Sequence, residues 1–229
     1  MSAGRRFALA MLMMAALLAA ATVIRSLAAD TATPVPITMG AGSSLWLEGK
    51  STLHDFESRT SSSTLSLTRD PASTSPADVA GLESLIRGGS IRSVDLDVPV
   101  TSLKSEKSGL DKNLWKDLKA EQYPSVKFHL THYVVSPAGV PGDTMQIRAE
   151  GTLEVAGVQR PDTLEARAFR ASEGVWLEGS EPLLMSEFGI HPPAMMLGAL
   201  KVADRIVVRY KLLLVPKGDG SASLPTRVN

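Results

Sequence analysis

Four stretches of the chain alternate apolar and polar residues with a period of two. Thr144–Val155 sets Met145, Ile147, Ala149, Leu153 and Val155 against Thr144, Gln146, Arg148, Glu150, Thr152 and Glu154. Ile206, Val208, Tyr210, Leu212 and Leu214 repeat the pattern, as do Val126, Phe128 and Leu130, and Val94, Leu96, Val98 and Val100. Successive side chains of a strand point to opposite faces, so each stretch has one dry face and one wet face. Such strands joined by turns predict an antiparallel sheet that buries a single side. That side must be covered, or the sheet must close on itself, and a closed barrel with an apolar lining is a container. The expected fold class is all-β: an antiparallel β-barrel of about eight strands with one or two short helices, a size that can hold one small ligand.

The first 28 residues are expected to stand apart from the barrel. Arg5 and Arg6 precede the apolar run Phe7–Ile24, and the small residues Ser26, Ala28 and Ala29 follow it. This is the layout of a signal peptide cut after Ala28 or Ala29. An uncleaved anchor is the alternative, because a run of this length just spans about 30 Å of hydrocarbon. Cleavage takes Arg5, Arg6 and Arg25 from the 24 basic residues and nothing from the 24 acidic ones, leaving a net charge of −3. No basic footprint for nucleic acid results. The chain has no cysteine, so neither disulfides nor thiolates are available, and a core of this size does without them. The length suits one domain, with 29–44 as a lead-in segment, 45–216 as the barrel and 217–229 as a loose Gly/Ser/Pro-containing tail.

Along the chain, Thr31–Thr38 is a Pro-containing lead-in. Leu45–Leu47 and His54–Leu67 read as the first two strands, with a turn near Gly49–Ser51. His54, Phe56, Ser58 and Thr60 share one face of the second strand, whereas Leu65 and Leu67 have the opposite parity. A bulge in Ser61–Ser63 is expected to return them to the inside. Val79, Leu82, Leu85 and Ile86 have helical spacing, ended by Gly88–Gly89. After a strand over Ile91–Val100, a helix is expected over Ser108–Leu118, with Ser108 and Asp111 as its capping pair and Leu110, Leu114, Trp115 and Leu118 as its apolar stripe. Tyr123-Pro124 closes that region. Strands follow over Ser125–Val135, Thr144–Val155, Pro161–Ala171, Val175–Gly179 and Arg205–Val215, and no repeat period recurs.

Several of these segments carry a resemblance. Ser51-Thr-Leu-His-Asp-Phe56, Asp111–Leu118 with Tyr123-Pro-Ser-Val-Lys-Phe128, Gly151-Thr-Leu-Glu-Val-Ala-Gly157 with Pro161, Ser186-Glu-Phe-Gly-Ile190 with Pro192, and Lys201-Val-Ala-Asp204 resemble, in order, segments of the YceI-like proteins. Those are exported lipid- and polyisoprenoid-binding barrels of lipocalin-like architecture. Glu187 takes the place of a more usual aspartate, Pro71–Gly89 is longer and more helical than its counterpart, and His191–Leu197 is unusually apolar. The resemblance implies an elongated apolar cavity for an isoprenoid, quinone or fatty chain, a periplasmic location, and no metal or catalytic residue.

The expected cavity lining is His54, Phe56, Val94, Leu96, Val98, Trp115, Val126, Phe128, Leu130, Ile147, Ala149, Leu164, Ala166, Ala168, Phe188, Ile206, Val208 and Tyr210. Within the inward sets, the small residues Ser58, Thr60, Ala149, Ala166 and Ala168 are expected to leave a channel between the bulky ones. Ala149→Trp or Ala168→Trp should therefore block it. Trp115 serves either as a lid or as the anchor that docks its helix. Lys104, Lys107, Lys112, Lys116 and Lys119 alternate with Glu106, Asp111, Asp117 and Glu121, which reads as a solvated face.

His129 and His132, three apart on a strand, should face opposite sides and cannot chelate one ion together. Ser51, His54 and Asp55 contain triad residue types without the spatial relay a triad needs. His54, inward beside Phe56, is the histidine placed to meet a ligand's polar end. No P-loop, GxGxxG or HExxH occurs. The expected function is a non-enzymatic carrier of an apolar chain, with no cofactor beyond that ligand. Its partners are the apolar small molecule and, at most, a second copy in a homodimer, with no membrane span after cleavage. The rival expectation is an envelope-stress or interaction scaffold that presents Pro71–Gly89 and His191–Leu197 to a partner.

Overall fold

The protein is described here as a computed structural model over residues 32–137, 144–192, 194–195 and 200–217. The leader expected over residues 1–28, the tail beyond Lys217, and Pro193 with residues 196–199 lie outside the described residues. The strands are β1 (Thr33–Pro34), β2 (Ile37–Met39), β3 (Ser44–Ser51), β4 (Asp55–Thr60), β5 (Thr64–Arg69), β6 (Ile91–Pro99), β7 (Ser125–Pro137), β8 (Thr144–Val155), β9 (Val158–Arg170), β10 (Val175–Leu184), β11 (Ala194–Met195) and β12 (Leu200–Pro216). Helix α1 spans Val79–Arg87 and α2 spans Ser108–Asp117, with single 3-10 turns at Val100–Ser102 and Met185–Phe188. No helix among the described residues is long and apolar enough to cross a membrane.

The pairing is antiparallel, in the order β1-β5-β6-β7-β8-β9-β10-β12-β3-β4. The two flanks of this curled sheet are consecutive in sequence. β4 pairs with β3, and three residues later the same run, as β5, pairs with β6. The serine run Ser61–Ser63 is thus not a bulge within one strand but the corner at which the chain changes partners. That change accomplishes what the parity switch demanded, since Ser58, Thr60 and Leu67 are all buried. The lead-in carries two strands that straddle the seam: Thr33 is opposite Arg69 on β5, and Met39 is opposite Leu214 on β12.

Other boundaries differ for local reasons. β3 runs through Gly49–Ser51, and the turn falls at Thr52–His54, where the Ser51 hydroxyl donates to the His54 carbonyl at 2.8 Å. In β7 the register slips between Leu130 and His132, so Thr131 is an extra residue. The slip puts His129 and His132 on the same outer, exposed face, against the expectation that they diverge. His129 is held by Asp95 at 2.6 Å, and among the described residues no group of His, Cys, Asp or Glu is arranged to hold a metal ion.

Helix α1 is capped by Asp78, whose carboxylate accepts from the Gly81 amide at 2.7 Å, and it stops at Gly88 before Gly89 takes a φ of +65°. Its apolar stripe of Leu82, Leu85 and Ile86 is 0–5 % exposed. The Tyr133 hydroxyl fixes it to the barrel by donating to the Ile86 carbonyl at 3.0 Å and accepting from the Ile91 amide at 3.2 Å.

Helix α2 is secured differently. Ser108 does not cap it, because the cap position is Lys107 and lacks a side-chain bond. Asp111 instead reaches back to the amide and hydroxyl of Ser105, both at 2.7 Å, and those bonds hold its carboxyl below the usual range.

Candidate functional site

A cavity of about 390 Å³ lies between α2 and the inner faces of the strands. One wall is built by β3, β4, β10 and β12 through Leu45, Leu47, Phe56, Ser58, Leu183, Ile206, Val208 and Tyr210. The facing wall comes from β6 to β9 through Leu96, Val98, Val126, Phe128, Leu153, Val155 and Leu164. Leu103, the α2 residues Leu110 and Leu114, and Leu118 just beyond the helix close one side, and Met185, Phe188 and Ile190 close another. The exposed lining residues His54, Leu110, Asn113, Lys116, Lys127 and Leu184 mark its mouth.

Glycines on neighbouring strands explain how so many aromatic rings leave an open centre. A Cβ on Gly49 would sit 2.2 Å from the Phe56 ring, one on Gly151 2.6 Å from Phe128, and one on Gly179 2.2 Å from the Tyr210 hydroxyl. Each ring lies flat against the wall in the space a side chain would have filled, and so stays out of the lumen. The motif segments meet in this way too. Tyr123 of the Tyr-Pro segment covers Gly157, whose φ is +82°. Asp204 accepts from the Ser186 amide and hydroxyl at 2.8 and 2.5 Å, pinning the turn that carries the buried Phe188.

The sequence-derived lining divides in two. His54, Phe56, Leu96, Val98, Val126, Phe128, Leu164, Phe188, Ile206, Val208 and Tyr210 line the cavity. Val94, Leu130, Ile147, Ala149, Ala166 and Ala168 do not; they belong to or pack against the buried core that also takes in the apolar stripe of α1. Ala168 is opposite Met145 and Leu177, and Ala166 is opposite Ile147 and Gly179. Met145 and Ala168 are both fully buried. The small residues therefore make room for large neighbours rather than for a ligand, and Ala168→Trp tests packing, not occlusion.

Trp115 is the other correction. Its indole NH donates to the Leu103 carbonyl at 3.1 Å, and the Lys104 ammonium lies 3.8 Å from its ring centroid, so it anchors α2 from outside the cavity. His54 is exposed at the mouth rather than inward, and Ser51 bonds its main chain, not its imidazole.

Sequence reasoning missed Leu45, Leu47, Leu153, Val155, Leu183 and Glu181. Leu153 and Val155 were already legible as inward by parity. Leu183 and Glu181 were missed because β10 was ended too early, at Gly179.

The wall changes character near Glu181. The β9–β10 ladder stops at Gly179–Ala166, although β10 continues beside β12 to Leu184–Arg205. Where the two strands part, the Tyr210 hydroxyl crosses Gly179 and donates to the Glu165 carbonyl at 3.1 Å, giving that main-chain acceptor a partner. Burial raises the Tyr210 hydroxyl, with Glu181, Asp162 and Glu165 adding to the shift. Burial also raises Asp162, one of whose carboxyl oxygens is enclosed without a hydrogen-bond partner. Glu181 shares the inward parity of β10 and lines the cavity. Burial, followed by the charges of Asp162 and Glu165, pushes its carboxyl up to about 7.

Two solved structures share this architecture. BcnA of Burkholderia cenocepacia aligns with a TM-score of 0.54 at 18% identity, over 75% of this chain and 96% of its own. A polyisoprenoid binding domain from Saccharophagus degradans, described as implicated in plant cell wall breakdown, aligns with a TM-score of 0.57 at 12% identity, over 80% of this chain and 99% of its own. No curated protein sequence matches the chain significantly. The sequence pattern of the YceI-like domain matches residues 42–214, which takes in all the main barrel strands and both helices, and the chain belongs to the YceI-like domain family.

Proposed function

We propose that this protein binds and carries an apolar chain, such as an isoprenoid, a quinone or a fatty amphiphile, in the cavity under α2. The observation that carries this reading is the cavity itself: about 390 Å³, walled mainly by Leu, Val, Ile and Phe. Its volume falls within the roughly 300–1,000 Å³ typical of small-molecule sites. Each methylene moved from water into such a lining gains about 0.8 kcal/mol. Ten of them supply about 8 kcal/mol before the costs of immobilisation, so affinity needs no strong polar anchor. The name of the Saccharophagus domain supports the same ligand class by analogy. In this reading the protein is a non-enzymatic binder exported to the periplasm, consistent with the leader-like residues 1–28.

The scaffold alternative loses one of its two surfaces, because the apolar residues of Pro71–Gly89 are spent inside the barrel as α1. To test the carrier reading, purified protein is incubated with farnesol and examined by native mass spectrometry, beside Val208→Trp. The wild type should retain one farnesol and the variant none, with unchanged circular dichroism. Failure of the folded wild type to retain any chain sinks the reading.

A further inference from the structure

The strand wall of the apolar cavity holds a carboxyl that its apolar purpose does not explain. Glu181 lies on the cross-strand row that runs through Val208 and Leu47 to Ser58, one row from Tyr210 and Leu45. It is only partly exposed, it lines the cavity, and it makes no hydrogen bond or ion pair with any described residue. Other titratable residues reach the cavity away from β10. Lys116 and Lys127 are exposed on α2 and β7, and His54 is exposed at the mouth. Asp117 on α2, likewise partly exposed and without a hydrogen bond or ion pair to a described residue, has the Lys116 charge acting on it. The groups acting on Glu181 are Asp162 and Glu165 of β9, with Tyr210 of β12 beside them. None of these is a cation, and the Tyr210 proton is already committed to the Glu165 carbonyl. Glu181 is therefore an acceptor with no donor among the described residues, aimed into a space whose surrounding strand wall is largely carbon.

We propose that Glu181 selects the head of the bound chain: a hydroxyl or an ammonium that donates to its carboxyl is accepted, and a carboxylate or phosphate is refused. The inference rests on the chain-binding reading and adds to it the chemistry of one end. A donor head removes the unpartnered state of Glu181. An anionic head brought to the same row meets the Glu181 carboxyl, on which Asp162 also acts, with no cation on that row, and like charges in a partly desolvated site repel strongly. The order of preference is amine, then alcohol, then carboxylate, on one and the same hydrocarbon chain.

The test uses dodecylamine, dodecan-1-ol and dodecanoate, titrated calorimetrically at pH 8 into the wild-type chain, Glu181→Gln, Glu181→Leu and Val208→Trp. Because like-charge juxtaposition costs several kcal/mol, the wild type should bind the amine and the alcohol at least about tenfold more tightly than dodecanoate, and Glu181→Gln should bring amine and dodecanoate within about threefold of each other. Glu181→Leu should do the same and serves in its place if the glutamine variant misfolds. The proposal is overturned if the wild type binds dodecanoate as well as the amine, or if both variants keep the wild-type ratio. Amine binding that persists in Val208→Trp lies outside the cavity and overturns it too. If the wild type binds none of the three chains, the chain-binding reading falls, and this inference falls with it.

Discussion

The α1 end and the α2 end of the barrel are made from the same strands with the same alternation of inward and outward residues, yet one is solid and the other hollow. At the α1 end, Leu82, Leu85 and Ile86 enter the barrel, and the spaces beside Ala166 and Ala168 are taken by larger partners such as Met145. At the α2 end, the helix lies over the opening, and Phe56 and Phe128 are drawn against the wall by Gly49 and Gly151. The difference shows that inward apolar residues do not by themselves specify a container. What specifies it is where a helix inserts and where glycines let the rings lie back.

The sharpest way to break this division is to truncate matched aliphatic residues in the two ends. Leu82→Ala should cost about 2–5 kcal/mol in chemical denaturation, because it empties a close-packed site. Ile206→Ala should cost less than about 1.5 kcal/mol, because part of that side chain already faces open volume. Equal losses would mean that the two ends do not differ in packing.

A smaller effect is expected from Gly49→Leu, whose side chain must displace the Phe56 ring. It should cost about 1–3 kcal/mol of stability and lower the affinity for farnesol, as the ring moves into the lumen. Unaltered farnesol binding would show that the glycine–aromatic pairs do not keep the centre open.

The smallest effect concerns pH. Glu181 is raised from 4.5 to about 7, so the folded chain holds this proton more tightly than the unfolded chain does. Stability should decline as pH rises from about 4.5 through 7, then stay level, as far as this group contributes. Glu181→Gln lacks that decline. Its melting temperature should match the wild type at pH 4 and exceed it slightly at pH 8, the gain being modest because the carboxyl is partly solvated. A variant less stable at pH 8 than at pH 4, relative to wild type, would reverse the assigned sign.

Much of the architecture was legible from parity alone. β8 occupies the expected Thr144–Val155, α1 stops at Gly88–Gly89 as its glycines predict, and the family pattern spans residues 42–214. Three things were hidden, each for a physical reason. The serine corner looked like a bulge because sequence shows a change of face but not a change of partner. The slip at Thr131 left no sign, since threonine is as acceptable in a regular strand as in a bulge. The division between packed and hollow ends depends on cross-strand neighbours such as Ala168 with Met145 and Phe56 with Gly49, which become neighbours only once the register is set.

The parting of β9 from β10 has a mechanical meaning. β8 grips β9 along its whole length, from Thr144–Phe169 to Val155–Val158, while β9 and β10 share bonds only between Val175–Arg170 and Gly179–Ala166. Widening the barrel along β8 and β9 requires breaking a ladder; here it requires only letting go of the Tyr210 clasp. This unlaced stretch is thus one place where the side of the vessel gives way, and a guest too stout for the laced wall gains clearance there.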